Sequence, residues 1–172
     1  LKYLAHPPKG IAKTEWGLNF SKIFSEKMGL DTKKFYLDIL DELKPKYLRI
    51  PLYWPDIEPK KDEYNFEDYD FFITEAKKRN IRLTLALGRK LPRWPECHEP
   101  EWSKLLSKEE QNKELLDYIK NSILRYKDDL ALEAWQIENE PFLPFGECPK
   151  TDPRFLDEEI ALVKSLDTYH PI

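Results

Sequence analysis

Short apolar runs and amphipathic stretches alternate along the chain. Residues 16–21 (Trp-Gly-Leu-Asn-Phe-Ser) read as a short first strand. Asp31 stands where a carboxylate caps a helix by accepting its free first-turn amides. That helix runs to about residue 44, places Phe35, Ile39, Leu40 and Leu43 on one face, and stops at Pro45. Residues 47–53 form a second strand. A second helix begins at Asn65 or Glu67, carries Tyr69, Phe72, Ile73 and Ala76 at helical spacing, and ends with Asn80 as a left-handed terminator. Residues 81–87 (Ile-Arg-Leu-Thr-Leu-Ala-Leu) form a third strand, closed by Gly88. Ser107 and Glu110 make a capping box for a third helix that buries Leu115, Leu116, Ile119 and Ile123. Residues 132–137 are the fourth strand. Asp152-Pro153, a cap followed by proline in the first turn, opens a fourth helix carrying Leu156, Ile160, Val163 and Leu166.

Strand and helix alternating in this way predict a parallel sheet. The long connections, 54–64, 89–106 and 142–151, all follow strands, whereas those from helix back to strand are short. A barrel with an elaborated catalytic rim has that asymmetry. A doubly wound sheet shares the alternation, but its Gly-rich first turn is missing. An eight-fold barrel takes ~250 residues, so the expected fold class is α/β, the first half of a TIM (β/α)8 barrel. It comprises four βα units and the start of a fifth strand near Tyr169, in a single partial domain over residues 1–172. Beyond the βα period no internal repeat or low-complexity segment is visible.

The 28 basic and 32 acidic side chains are spread along the whole length, giving a net charge of -4 and no basic stripe for a nucleic acid. No apolar run approaches the ~20 residues that span a bilayer. The chain starts at Leu1 without a signal-peptide core, and is read as processed, trimmed or a fragment. Fourteen Pro against five Gly point to rigid loops and provide no phosphate cradle. Cys97 and Cys148 are too few for a disulfide scaffold or a thiolate zinc site. Both fall in loops after strands, on one face, where they either form a bridge or stay as two free thiols. His6, His98 and His170 have no metal-ligand spacing, and neither metal nor cofactor is expected.

The chemistry concentrates where the fourth strand runs into Glu138-Asn139-Glu140-Pro141. Desolvating an unpaired carboxylate at an apolar strand tip is costly, and carboxyl ends of parallel strands are where α/β proteins place ligands. The plain alternative is a strand end capped by solvated polar groups. In extended backbone Glu138 and Glu140 point the same way. Arg49 lies inside the second strand, either as a buried guanidinium that needs a carboxylate partner or as a surface residue at the strand end. Tyr53, Trp54, Trp94, Trp102, Phe142 and Phe145 cluster after strands two to four, as loop packing or as faces on which sugar rings stack. Trp54 and Trp94 lie nearest the strand ends.

The segment Trp135-Gln136-Ile137-Glu138-Asn139-Glu140-Pro141 resembles the Asn-Glu-Pro motif that ends the fourth strand of clan A glycoside hydrolases, which are (β/α)8 barrels. The resemblance covers nearly the whole chain but only the first half of the family's domain, and is strongest to families 5, 39 and 42. It implies a retaining glycosidase acting on a β-linked oligo- or polysaccharide, with Glu140 as general acid/base and Asn139 hydrogen-bonding the sugar. Retention requires a second carboxylate about 5–5.5 Å away. The clan carries it on a seventh strand, outside these residues, so no nucleophile is assigned. Arg49 matches a second-strand Arg that positions the nucleophile. His98, in the same loop as Arg89, loosely matches a sugar-binding His. Glu138 either helps to hold the sugar, as in galactosidase families of the clan, or pairs with Arg49 inside the barrel.

Two other classes stay open. One is a non-catalytic carbohydrate-binding or structural half-barrel. The other is a different α/β-barrel sugar-processing enzyme, such as a metal-dependent isomerase or lyase, for which no converging ligand set can be assembled. A carbohydrate is the expected partner. Open sheet edges at strands one and five, with apolar inner faces, lead to the expectation that the isolated chain self-associates or folds poorly and turns over no glycoside.

Overall fold

The computed structural model describes residues 15–172; His6 lies outside them. Four strands, β1 (Gly17–Asn19), β2 (Tyr47–Pro51), β3 (Arg82–Leu87) and β4 (Leu132–Ile137), pair in parallel in the order β1-β2-β3-β4. Neighbours in sequence are neighbours in the sheet, as right-handed crossovers through intervening helices require. The expected half-barrel is therefore the observed fold.

The crossover helices are α2 (Thr32–Leu43), α4 (Glu67–Lys78), α5 (Lys108–Tyr126) and α6 (Pro153–Leu166). Their ends follow local chemistry. The Asp31 carboxylate accepts the Lys34 amide, and Ser107 and Glu110 form the reciprocal capping box at α5. Asp152 caps α6. Asn80 takes a φ of 55°, in the left-handed region that ends α4. Two short helices were not legible in the pattern: α1 (Lys22–Lys27), capped by Ser21, and α3 (Trp54–Ile57), a single turn. Neither is long enough to show a period.

Leu48 and Ile50 of β2, Leu83, Leu85 and Leu87 of β3, and Trp135 and Ile137 of β4 join one buried core with Tyr36, Phe72, Tyr118, Ile119 and Val163 of the helices. Each such side chain removed from water contributes about 1.5–3 kcal/mol, so this sheet–helix layer holds the fold. The opposite face of the sheet, the inner side of the half-barrel, is different. Register aligns Asn19, Arg49, Thr84 and Ala134 across it, with Gln136 beside Ala86 one step further on. The expected apolar inner face of edge strand one is corrected here: β1 presents Asn19. At the free edge of β4, the Trp135 amide donates to the Pro171 carbonyl at 2.9 Å, where the fifth strand was expected. Among the described residues no helix is long and apolar enough to cross a membrane.

Candidate active site

Beyond Ile137 the chain leaves the sheet through two left-handed residues, Glu138 (φ 61°) and Glu140 (φ 49°). Left-handed backbone costs a non-glycine residue roughly 1–2 kcal/mol, so this turn needs outside support. It receives it from the segment after β3. The Glu138 amide donates to the Leu87 carbonyl (2.8 Å) and the Asn139 amide to the Lys90 carbonyl (2.7 Å). In return the Arg89 and Lys90 amides donate to the two Glu138 carboxylate oxygens, at 2.8 and 2.6 Å. The Lys90 ammonium donates to the carbonyls of Glu140 (3.0 Å) and Leu143 (2.6 Å). Gly88 makes the approach feasible: at φ 131°, a Cβ there would stand 2.6 Å from the Glu138 carboxylate.

The left-handed turn separates the two glutamates that extended backbone would have aligned. Glu140 is exposed at the carboxyl rim. Glu138 is buried, with both oxygens held by main-chain donors. The expected pairing of Glu138 with Arg49 is therefore corrected: main-chain amides hold its carboxylate, and it lies buried below the open rim. Its neighbour is Glu159 of α6, also buried. Burial first, and then the charge of Glu138, raise the Glu159 pKa well above the ordinary carboxylate range. The Glu138 pKa is also raised, by burial, against the pull of the Arg89 and Lys90 amides. Nothing in the local sequence marks Glu159 for this buried place.

Arg49 reaches across the inner face. Its Nη2 donates to Asn139 Oδ1 at 2.9 Å and its Nη1 to Asn19 Oδ1 at 3.4 Å. Its pKa is lowered chiefly by burial, opposed by Tyr53, Glu140 and Glu96. Arg49 is thus a half-buried cation that orients the Asn139 amide, with acidic groups near but none in a direct ion pair among the described residues.

The aromatic candidates separate. Trp94 is 58% exposed and meets Phe145 edge-on with centroids 6.0 Å apart; Phe142 and Phe145 are also open. Trp54 is corrected: it is fully buried, donates through Nε1 to Glu58 (2.8 Å) and stacks on Tyr118. Being the first residue of α3, it points into the sheet–helix layer. His98 is corrected as well. Its ring packs on Tyr53 at 4.6 Å, Nε2 lies 3.1 Å from the Arg93 carbonyl, and burial lowers its pKa to about 4. It is a neutral internal strut of the loop. Tyr53 is buried and Trp102 donates to the Glu58 carbonyl, so neither forms an open platform.

Glu58, Asp62 and Glu114 bring carboxylate oxygens within 4.8 Å of one another. Two of the three carboxylates are already engaged: Glu58 accepts from Trp54 and the Asp62 amide, and Glu114 pairs with Lys61. That is the bonding of a structural cluster.

The four-stranded parallel half-barrel and the family match described next make this the first half of a clan A glycoside hydrolase barrel. The chain belongs to glycosyl hydrolase family 10, whose profile matches residues 51–153. The resemblance, strongest to families 5, 39 and 42, lies in the same clan, and the family model that matches is family 10. Among curated relatives, mannan endo-1,4-beta-mannosidase 1 of Solanum lycopersicum is 30% identical, over 63% of this chain and 32% of that one. Putative mannan endo-1,4-beta-mannosidase 4 of Arabidopsis thaliana is 28% identical over the same shares. This chain spans about a third of the length of these relatives. Solved structures agree on the fold. Xylanase 10B from Thermotoga maritima superposes with a TM-score of 0.67 at 18% identity, over 91% of this chain and 48% of that one. A GH5_18 protein from Streptomyces cattleya gives 0.65 at 13% identity, over 90% and 42%.

Proposed function

We propose that this chain supplies the acid/base half of a retaining glycoside hydrolase acting on a β-1,4-linked polysaccharide backbone. Glu140 protonates the departing glycosidic oxygen and then activates water; Asn139, oriented by Arg49, binds a sugar hydroxyl; Trp94 offers its face to a sugar ring. The observation that carries the reading is the placement of Glu140. It is an exposed carboxylate on the carboxyl rim, beside an asparagine whose side chain is fixed from across the inner face. A retaining mechanism also needs a nucleophile about 5–5.5 Å from Glu140. No carboxylate among the described residues is given that role, and the clan resemblance puts it on a seventh strand.

The mannosidase names of the curated relatives favour β-1,4-mannan as substrate, and the xylanase neighbour makes xylan the comparison. The test is hydrolysis of both polymers by a protein that joins this chain to a barrel's second half, with and without Glu140→Gln. Release of β-1,4-oligosaccharides that depends on Glu140 is expected. Binding to either polymer with no hydrolysis in any variant would favour the carbohydrate-binding class. Full activity of Glu140→Gln on an unactivated glycoside would overturn the assignment.

A further inference from the structure

We propose that Cys97 and Cys148 form a reversible disulfide site that staples the loop after β3 to the loop after β4. The two segments already run side by side. The Glu147 amide donates to the Pro95 carbonyl at 2.9 Å. Cys148 Sγ lies 3.7 Å from the Glu96 carbonyl oxygen, in the peptide unit that leads into Cys97. At Gly146 an added Cβ would stand 2.6 Å from Glu96 Cβ and 2.7 Å from the Pro95 oxygen, so the backbones are in contact. A β-bridge between Lys90 and Cys97 anchors the first cysteine within its loop. A disulfide needs Cα atoms no more than about 7 Å apart, and the bridge is proposed on the main-chain contact between these two segments.

Both thiols are free and half-buried. Cys97, ahead of burial, pushes the Cys148 thiol well above its ordinary range. The reaction partner is a small disulfide oxidant such as oxidised glutathione. The thiolate of one cysteine attacks it, forms a mixed disulfide and releases one glutathione thiol. The second cysteine loses its proton, attacks the protein-bound sulfur and displaces the other glutathione. One S–S bond breaks and one forms; the two glutathione thiols carry off two protons and two electrons.

The bridge ties together the loops that carry Trp94 and Phe145, whose rings already touch. In the dithiol form these loops are joined by main-chain hydrogen bonds, and in the disulfide form covalently. Redox state then sets how rigidly the open aromatic pair is held, whether or not that pair binds sugar.

The test uses the purified chain, oxidised glutathione, N-ethylmaleimide as quench, and mass spectrometry. The expected product is a monomer lighter by two hydrogens. It carries neither maleimide nor glutathione, joins the Cys97 and Cys148 peptides after proteolysis, reverts with dithiothreitol and melts at a higher temperature. Cys97→Ser and Cys148→Ser should each stop at a mixed disulfide with one glutathione. Closure should be at least roughly ten-fold faster in the folded chain than in urea, reflecting a raised effective concentration. Two maleimide labels, two retained glutathiones, a disulfide-linked dimer, or equal closure rates in buffer and urea would each overturn the proposal.

Discussion

The Lys90 ammonium, in the segment after β3, donates at 3.0 Å to the main-chain carbonyl of Glu140 at the end of β4. Its second bond goes to Leu143, and its own main chain bonds Glu138 and Asn139. One residue thus supports both left-handed positions of the turn that presents Glu140. A hydrogen bond to a charged donor is worth about 1.5–3 kcal/mol. Lys90→Met should lower unfolding free energy by about 2 kcal/mol, measured in urea. It should also raise amide exchange over residues 138–143 above that of β4 itself. Exchange unchanged in that turn would remove Lys90 from this role.

Glu140 carries the acid/base prediction. In a hydrolytically active protein, Glu140→Gln should cost roughly 10²–10⁴ in rate on unactivated glycosides. Aryl glycosides with good leaving groups should suffer much less in the first step, because their oxygen needs little protonation. The check is a comparison of single-turnover rates across leaving groups. An equal loss on every substrate would point to binding or folding instead.

Arg49 and Asn139 act as a pair. Arg49→Met frees the Asn139 amide to rotate and removes a half-buried cation from the inner face. The expected outcome is a fall of about 1 kcal/mol in stability, the usual worth of one hydrogen bond. In an active protein kcat/KM should drop about ten-fold. Arg49→Lys should recover little, since an ammonium cannot reproduce the guanidinium fork that spans Asn139 and Asn19. Full recovery by lysine would show that only charge matters there.

Trp94 and Trp54 should behave oppositely. Trp94→Ala leaves the fold nearly unchanged and weakens binding of a β-1,4-oligosaccharide by a few-fold, in line with about 0.5–1.5 kcal/mol for stacked rings. Trp54→Ala excavates the core and costs about 3–5 kcal/mol. Chemical unfolding paired with titration calorimetry separates the two. If Trp94→Ala destabilised the fold as much as Trp54→Ala, the open aromatic pair would be a packing element.

His98 sets a pH dependence. Burial lowers its pKa from 6.5 to about 4 in the folded chain. The unfolded chain therefore takes up its proton first as pH falls. Stability from this residue is complete above about pH 6.5 and is lost progressively down to about pH 4, amounting to at most about 3 kcal/mol. His98→Gln should flatten the difference in urea midpoint between pH 7 and pH 5 relative to the parent. An identical difference in both proteins would show that other groups titrate there.

The elements that read correctly are those whose cause is local. Capping by Asp31, Ser107 and Asp152 depends on a side chain within three residues of the amide it satisfies. The parallel pairing follows from the alternation, since a parallel neighbour is reached only through a crossover connection. Asn139 and Glu140 stood out because an apolar strand has no local use for polar residues at its tip. Trp54 and His98 misread for the complementary reason. A one-turn helix directed the indole inward, and a long loop folded back over the imidazole; neither event leaves a period in the chain.

Tertiary structure alone decided the different surroundings of Glu138 and Glu140. Two residues apart on an extended strand, they are equivalent by any local rule. A left-handed turn, held by Lys90 and made possible by the missing side chain at Gly88, sends one carboxylate inward to main-chain amides and leaves the other at the rim. The residues that impose this lie about fifty positions earlier. In the same way, Glu159 is a buried carboxyl with a raised pKa only because α6 packs it against Glu138. Hydrophobic period and capping are encoded within a few residues and survive in sequence. The partner of a buried charge is set by which strands pair, and appears only when the sheet has formed.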